Sequence, residues 1–185
     1  MIKIKKNGIV SLDVSSKSTG WSHFVRDKLK AYGNIKIKST LDKGEKLFIL
    51  RNELGCILKR HPSANIVIEN GFAGRNISTL KTLSHFSGVA QECVYNILGI
   101  ESYIMNNKIV KAYFEVATKE ELFEVIKEIF KFKEFNFKEH NDITDSIAQA
   151  ICYYNTIIKE NKIGTTKEKS KSKRNKDRLT SKVQA

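Results

Sequence analysis

The sequence predicts an α/β fold in which a five-stranded mixed sheet is flanked by helices, and three observations carry that prediction. Two short apolar runs, Ile9-Val-Ser-Leu-Asp-Val14 and Asn65-Ile-Val-Ile-Glu69, read as strands, the second as one covered on both faces. Longer segments with apolar residues at helical spacing lie between and after them. Three strand-like segments also follow one another at the start, before strands and helices alternate, so a meander feeds βαβ units. With 185 residues and 41% apolar content, the chain is long enough for one domain with a real core.

The first strand is Ile9–Val14. Gly20 to Val25 and Leu29 to Lys38 read as two more, joined by the short polar Arg26-Asp27-Lys28 that suits a hairpin. Asp42-Lys-Gly-Glu45 is a capping box, and Leu47, Leu50, Leu54 and Leu58 continue a helix up to His61-Pro62. After the strand at Asn65–Glu69, a helix runs from Asn76 to about Leu98 and is ended by Gly99. Glu101 to Met105 is the fifth strand. Thr118-Lys-Glu-Glu121 is a second capping box, opening a helix to about Phe130. A last helix begins near His140-Asn141-Asp142 and runs to about Lys159. The order β-β-β-α-β-α-β-α-α is that of the ribonuclease H-like fold.

The net charge of +13 is unevenly placed. From Lys159 to Ala185 there are ten lysines and arginines against three acidic residues, a net +7. This stretch has almost no large apolar side chains to offset the entropy of ordering, so residues 161–185 read as a disordered basic tail. Such a tail suits an anionic polymer, whether DNA, RNA or a membrane surface, or serves only to keep the chain soluble. No run approaches the apolar length of a membrane span, and the start lacks a signal peptide's apolar stretch. Cys56, Cys93 and Cys152 are far apart with no CxxC, which argues against a disulfide scaffold or zinc site and for a reducing, cytoplasmic compartment.

Four carboxylates stand out by position. Asp13 ends the first strand, Glu69 ends the fourth, and Asp142 and Asp145 are placed at i and i+3 at the start of the last helix, on one face. In this fold the first and fourth strands are neighbours, and the last helix can bring its pair against them. Any one of these acids is also explained by a turn or a helix cap. Together they make a pocket of hard oxygen ligands that repel one another unless a cation is present, which suits Mg²⁺ or Mn²⁺. Two such ions can activate water and stabilise a leaving phosphate oxygen.

The chain resembles the RuvC-type Holliday junction resolvases, in a phage-like form. The matching segments are Ile9-Val-Ser-Leu-Asp-Val-Ser-Ser-Lys-Ser-Thr-Gly-Trp-Ser22, Ile68-Glu-Asn-Gly-Phe-Ala-Gly-Arg-Asn76 with Leu83 and Gly88 following, Ile109-Val-Lys111, and His140-Asn-Asp-Ile-Thr-Asp-Ser-Ile-Ala-Gln-Ala-Ile151. They come in order and span most of the expected folded part. The resemblance implies a nuclease domain over residues 1–160, metal ligands at Asp13, Glu69, Asp142 and Asp145, and symmetric cleavage of four-way DNA junctions by a homodimer. It implies that Phe72 stacks on bases at the junction and that Lys111 and Lys119 contact DNA near the cut. Arg75 and Lys81, which flank the loop after Glu69, are added as phosphate contacts. The helix after Glu69 is the implied dimer interface, where Ser84, Ser87, Gly88 and Ala90 either admit a second helix or pack on the sheet.

The sequence departs from the family in two places. Ser15-Ser16 stands where the first loop often carries Pro-Gly, and Lys131-Phe-Lys-Glu-Phe-Asn-Phe-Lys138 is unusually aromatic and basic, either a substrate loop or a core lid. The rival within nucleases is a related enzyme acting on other branched DNA or on RNA. A sugar-kinase or actin-like reading rests on the Asp-x5-Thr-Gly spacing of Asp13 to Gly20, but needs a duplicated domain and a second glycine-rich loop that 185 residues do not supply. A non-catalytic DNA-binding module leaves the acidic set unexplained.

Overall fold

In the computed structural model, residues 8–70 and 77–158 are described. Phe72, Arg75 and residues 161–185 lie outside the described residues. Five strands and five helices follow in order: β1 (Ile9–Asp13), β2 (Ser18–Val25), β3 (Lys28–Lys36), α1 (Lys43–Arg60), β4 (Asn65–Asn70), α2 (Ile77–Leu98), β5 (Tyr103–Asn106), α3 (Asn107–Tyr113), α4 (Lys119–Phe130) and α5 (Phe137–Tyr153). A π-helical turn, Tyr154–Ile158, continues α5.

The sheet order is β3-β2-β1-β4-β5. The meander β1-β2-β3 pairs antiparallel, and β4 and β5 add to β1 in parallel. Alternation along the strands sorts side chains onto the two faces. Val10, Leu12, Ile66 and Ile68 pack with Leu50, Leu54, Leu58, Phe86 and Val94 of α1 and α2. Ile9, Val67 and Met105 pack on the other side with Leu122, Ile126, Ile143 and Ile147 of α4 and α5. These are the layers expected of a ribonuclease H-like fold.

Both capping boxes form as the sequence predicts. Asp42 Oδ1 accepts from the Glu45 N–H at 2.8 Å, and Thr118 Oγ1 accepts from that of Glu121 at 3.1 Å. Gly99 ends α2 with φ +62, which costs glycine little.

Two expectations need correction. First, α5 begins at Phe137, not near His140, because Asn136 is its cap and accepts from the Glu139 N–H at 3.1 Å. Asp142 and Asp145 therefore sit in the second and third turns, where neither can serve as a cap. Second, a short helix, α3, follows β5 directly and was not anticipated. Asn106 caps it, accepting from the Lys108 N–H at 2.9 Å. The last helix stays helical to Ile158, its end a π-helical turn over Tyr154–Ile158.

The aromatic segment between α4 and α5 resolves as a lid on the second core. Phe130 stacks on Phe132, Phe132 on Phe135, and Phe135 on His140, at centroid spacings of 5.5, 4.2 and 4.3 Å. Tyr32 of β3 closes against Phe132 and Phe135.

Candidate active site

Strand alternation decides which acids meet. Because Val10, Leu12, Ile66 and Ile68 face α1 and α2, Asp13 and Glu69 face α5. The parallel register sets Leu12 against Ile68, so the next residues, Asp13 and Glu69, lie side by side. From above, α5 contributes Asp145. One carboxylate oxygen from each of Asp13, Glu69 and Asp145 lies within 4.8 Å of the others.

Gly20 lets the helix come this close. It pairs with Asp13 across β1 and β2. A Cβ there would run into the Asp142 carbonyl and lie 2.7 Å from the Ile143 nitrogen. The Thr-Gly of the first motif thus clears the floor on which α5 rests.

Of the four expected ligands, three come together. Asp142 lies one turn before Asp145, half-buried and outside the cluster, although its charge is felt by Asp145. Asp13 is 8% exposed and Asp145 4%. Burial pushes the Asp13 carboxyl well above the usual range, and the charge of Glu69 and a hydrogen bond with it push the same way. Asp145 is raised to about 6, chiefly by burial, with Glu69 and Asp142 adding to the rise and Lys119 opposing it. Asp145 Oδ1 is buried and has no hydrogen-bond partner among the described residues.

Lys119, the first residue of α4, stands inside this site. Its Nζ donates to Asp145 Oδ2 at 2.6 Å and lies 3.9 Å from Asp13 Oδ2. Burial works against its charge, but the carboxylates of Asp13, Asp145 and Glu69 outweigh that and hold its pKa above the ordinary lysine value. The three acids, with an unpaired buried oxygen among them, are a donor set that fits a hard divalent cation, while the Lys119 ammonium balances charge and offers no ligand atom.

Beyond Glu69 opens a pocket of about 250 Å³, lined by Glu69, Asn106, Asn107, Lys108, Lys111 and Lys119. Sequence reasoning missed Asn107, whose Nδ2 donates to Glu69 Oε1 at 2.8 Å and fixes that carboxylate. Its only sequence signal is a pair of asparagines after a strand, which ordinarily reads as a cap. Lys111 reaches the pocket and donates from Nζ to the Ala117 carbonyl at 3.2 Å, bracing the turn between α3 and α4. Lys81 is exposed on α2 and does not line this pocket. Phe72 and Arg75 fall outside the described residues.

The serine loop after Asp13 needs no Pro-Gly to turn. Ser15 Oγ donates to the Ser18 carbonyl at 2.6 Å and accepts from the Ser18 N–H at 3.2 Å. Ser18 Oγ then donates to Asn34 Oδ1 at 2.6 Å, tying the loop to β3.

Comparison with known proteins bears on what this geometry serves. Residues 9–153 match the family model described as crossover junction endodeoxyribonuclease RuvC. A RuvC from Wolbachia sp. subsp. Brugia malayi is 26% identical over 159 residues, covering 80% of this chain and 94% of that protein. One from Caldicellulosiruptor saccharolyticus is 27% identical over 129 residues, covering 68% and 76%. Among solved structures, T. thermophilus RuvC in complex with a Holliday junction substrate is similar at a TM-score of 0.67 and 17% identity, covering 80% of this chain and 92% of that one. At that identity the likeness speaks to the fold. Among the described residues no helix is long and apolar enough to cross a membrane.

Proposed function

This chain belongs to the RuvC family of crossover junction endodeoxyribonucleases, and from that premise we propose that it resolves four-way (Holliday) DNA junctions by Mg²⁺-dependent hydrolysis of two symmetry-related phosphodiesters, with Mn²⁺ able to substitute. The observation that carries this reading is the convergence of Asp13, Glu69 and Asp145, from three separate elements, to within 4.8 Å. These three would hold the metal, with Asp142 one turn away. A divalent ion bound there supplies an activated water and stabilises the charge that builds on the leaving oxygen.

The chain's own residues set the conditions for that chemistry. Asn107 keeps the Glu69 carboxylate turned into the site through its 2.8 Å hydrogen bond. Lys119 offsets part of the negative charge, so that a phosphate can approach three carboxylates. Lys111, on the pocket wall beside Glu69, meets the DNA backbone next to the cut. Phe72, Arg75 and Lys81 are assigned to the same substrate, Phe72 by stacking on a base and the two cations by phosphate contact.

Symmetric cutting needs two sites, and a two-fold dimer repeats one site on the opposed strand. The exposed face of α2 suits the dimer contact. A Cβ at Gly88 would meet nothing within 4 Å, so a second helix has room to approach. Tyr95, 65% exposed two turns further along, offers an apolar anchor. Ala90, by contrast, is buried in the chain's own core.

The test is a cleavage assay on a labelled synthetic junction with Mg²⁺, beside linear duplex, flap and RNA–DNA controls. Paired nicks at symmetric positions, leaving ends that ligate, are expected. Intact junctions alongside efficient cutting of another nucleic acid would overturn the reading.

A further inference from the structure

We propose that Lys17, Lys36 and Lys38, at the β3 edge of the sheet, form a phosphate-binding rail that takes the backbone of a duplex arm beside the cut. The proposal deepens the junction-cleaving reading and rests on it. Strand alternation places these lysines. Ile35 and Ile37 turn into the core under α1 and α2, so Lys36 and Lys38 stand on the opposite face, the one that carries Asp13 and Glu69. The ladder continues past the end of β3 through the Ile37 N–H, which donates to the Lys17 carbonyl at 2.9 Å. Register sets Lys36 against Ser18, so Lys17, Lys36 and Lys38 come together at the end of the sheet where Asp13 lies.

All three side chains are exposed, and none has an ion-pair partner among the described residues. The nearby acids of the first turn of α1 are engaged elsewhere, Asp42 with the Glu45 N–H and Glu45 with that of Asp42. The spacing suits a sugar–phosphate strand. Residues two apart in an extended chain are separated by about 7 Å, close to the distance between successive phosphates on one strand. The edge strand β3 lies two positions from β1, about 10 Å at normal strand spacing. Lys108 and Lys111 flank the carboxylates on the β5 side. The acidic site thus has basic side chains on both its β3 side and its β5 side.

Edge lysines also guard sheets against pairing with other chains, and β3 carries Lys28 and Lys30 at its far end. The experiment separates the two roles. Full-length wild type, a Lys17→Gln/Lys36→Gln/Lys38→Gln variant, and a charge-matched Lys28→Gln/Lys59→Gln/Arg60→Gln control at the opposite end of the sheet are titrated with four-way junction in EDTA over a range of salt. The rail variant is expected to lose at least tenfold in affinity, with a log–log salt slope shallower by about 2–3, one unit or slightly less per lost contact. The control is expected to shift the slope by less than one unit. Single-turnover cleavage of saturated junction with Mg²⁺ should stay within about twofold, since none of the three touches the reacting group.

If wild type binds and cuts junctions and the rail variant keeps its affinity and slope, the lysines guard an edge and the rail is refuted. Equal losses in rail variant and control refute it too, because net charge then explains both. If wild type neither binds nor cuts junctions, the junction reading fails and the rail falls with it.

Discussion

The metal-free site should make the folded protein less stable as pH rises from about 4 to above 6. Asp145 has a folded pKa of about 6 against an ordinary value of 3.8. Between those values the folded state holds a proton that the unfolded chain has released. Unfolding then releases a proton, and stability falls with rising pH across the window, levelling off above the folded value. A difference of roughly two pKa units corresponds to about 3 kcal/mol. Asp145 is 4% exposed, so solvent does little to soften the effect. Asp13 shifts in the same direction and adds to it. Lys119, held above the ordinary lysine range, stays charged throughout and contributes no slope here. The assay is urea unfolding followed by circular dichroism at fixed protein concentration, between pH 4.5 and 7.5 in EDTA, for wild type and Asp145→Asn. Taking the difference between the two cancels the titration of distant groups in a chain that carries +13, but not that of Asp13, which feels the charge of Asp145. Wild type should lose about 2 kcal/mol relative to the variant between pH 4.5 and 7.5, the rest of the effect lying below that range. Mg²⁺ should restore wild type at pH 7.5, by about 2.7 kcal/mol at a hundred times its dissociation constant, and do little at pH 4.5. A difference that does not change with pH, or that grows in favour of wild type, would refute the reasoning.

Asp13→Asn, Glu69→Gln and Asp145→Asn should each abolish junction cleavage while preserving junction binding in a mobility-shift assay. Asp142→Asn should be the mildest of the acidic-site changes, because its carboxylate stands outside the cluster. Asn107→Ala should weaken Mn²⁺ binding, read by calorimetry, by about 10–100-fold without loss of fold, since it frees the carboxylate of Glu69. Gly20→Ala should lower stability by about 1–3 kcal/mol in denaturant titrations and cut activity further than that implies, because α5 must lift from β2 and carry Asp145 with it.

What could be read from the sequence depended on whether local pattern fixes direction. Asp13 and Glu69 were legible because strand alternation and parallel adjacency leave a strand-end acid only one face to occupy. The order of Asp142 and Asp145 was legible only as outer and inner members of a helical pair, not as one inside the cluster and one outside it. Each helical residue turns the side chain by about 100°, so a site assignment on α5 depends on where and how the helix lies. The sequence suggests a start near His140-Asn141-Asp142, and the structure instead caps the helix at Asn136. The seven residues of α3 are too few to show a helical period, and with that helix hidden, so was Asn107 at its start. Lys119 was visible only by resemblance to a DNA contact. Its place against Asp145 comes from packing α4 on α5, a tertiary fact with no local signature. The sequence marks Gly20 only as the start of a strand and part of a family motif, whereas in the fold it is a spacer between strand and helix.

The charge arrangement explains why a protein so basic keeps acids at its centre. If fully ionised, Asp13, Glu69 and Asp145 carry three negative charges and Lys119 returns one positive charge. The remaining two match one divalent ion. Without it, the raised pKa values of Asp13 and Asp145 show that the fold retains protons more tightly instead. A cation and protons therefore compete for the same oxygens, and metal affinity must rise with pH until those protons are gone. The surrounding lysines cannot take the ion's place, since an ammonium holds no water as a nucleophile. What they can do is attract the polyanion to a site whose clustered carboxylates would otherwise repel it.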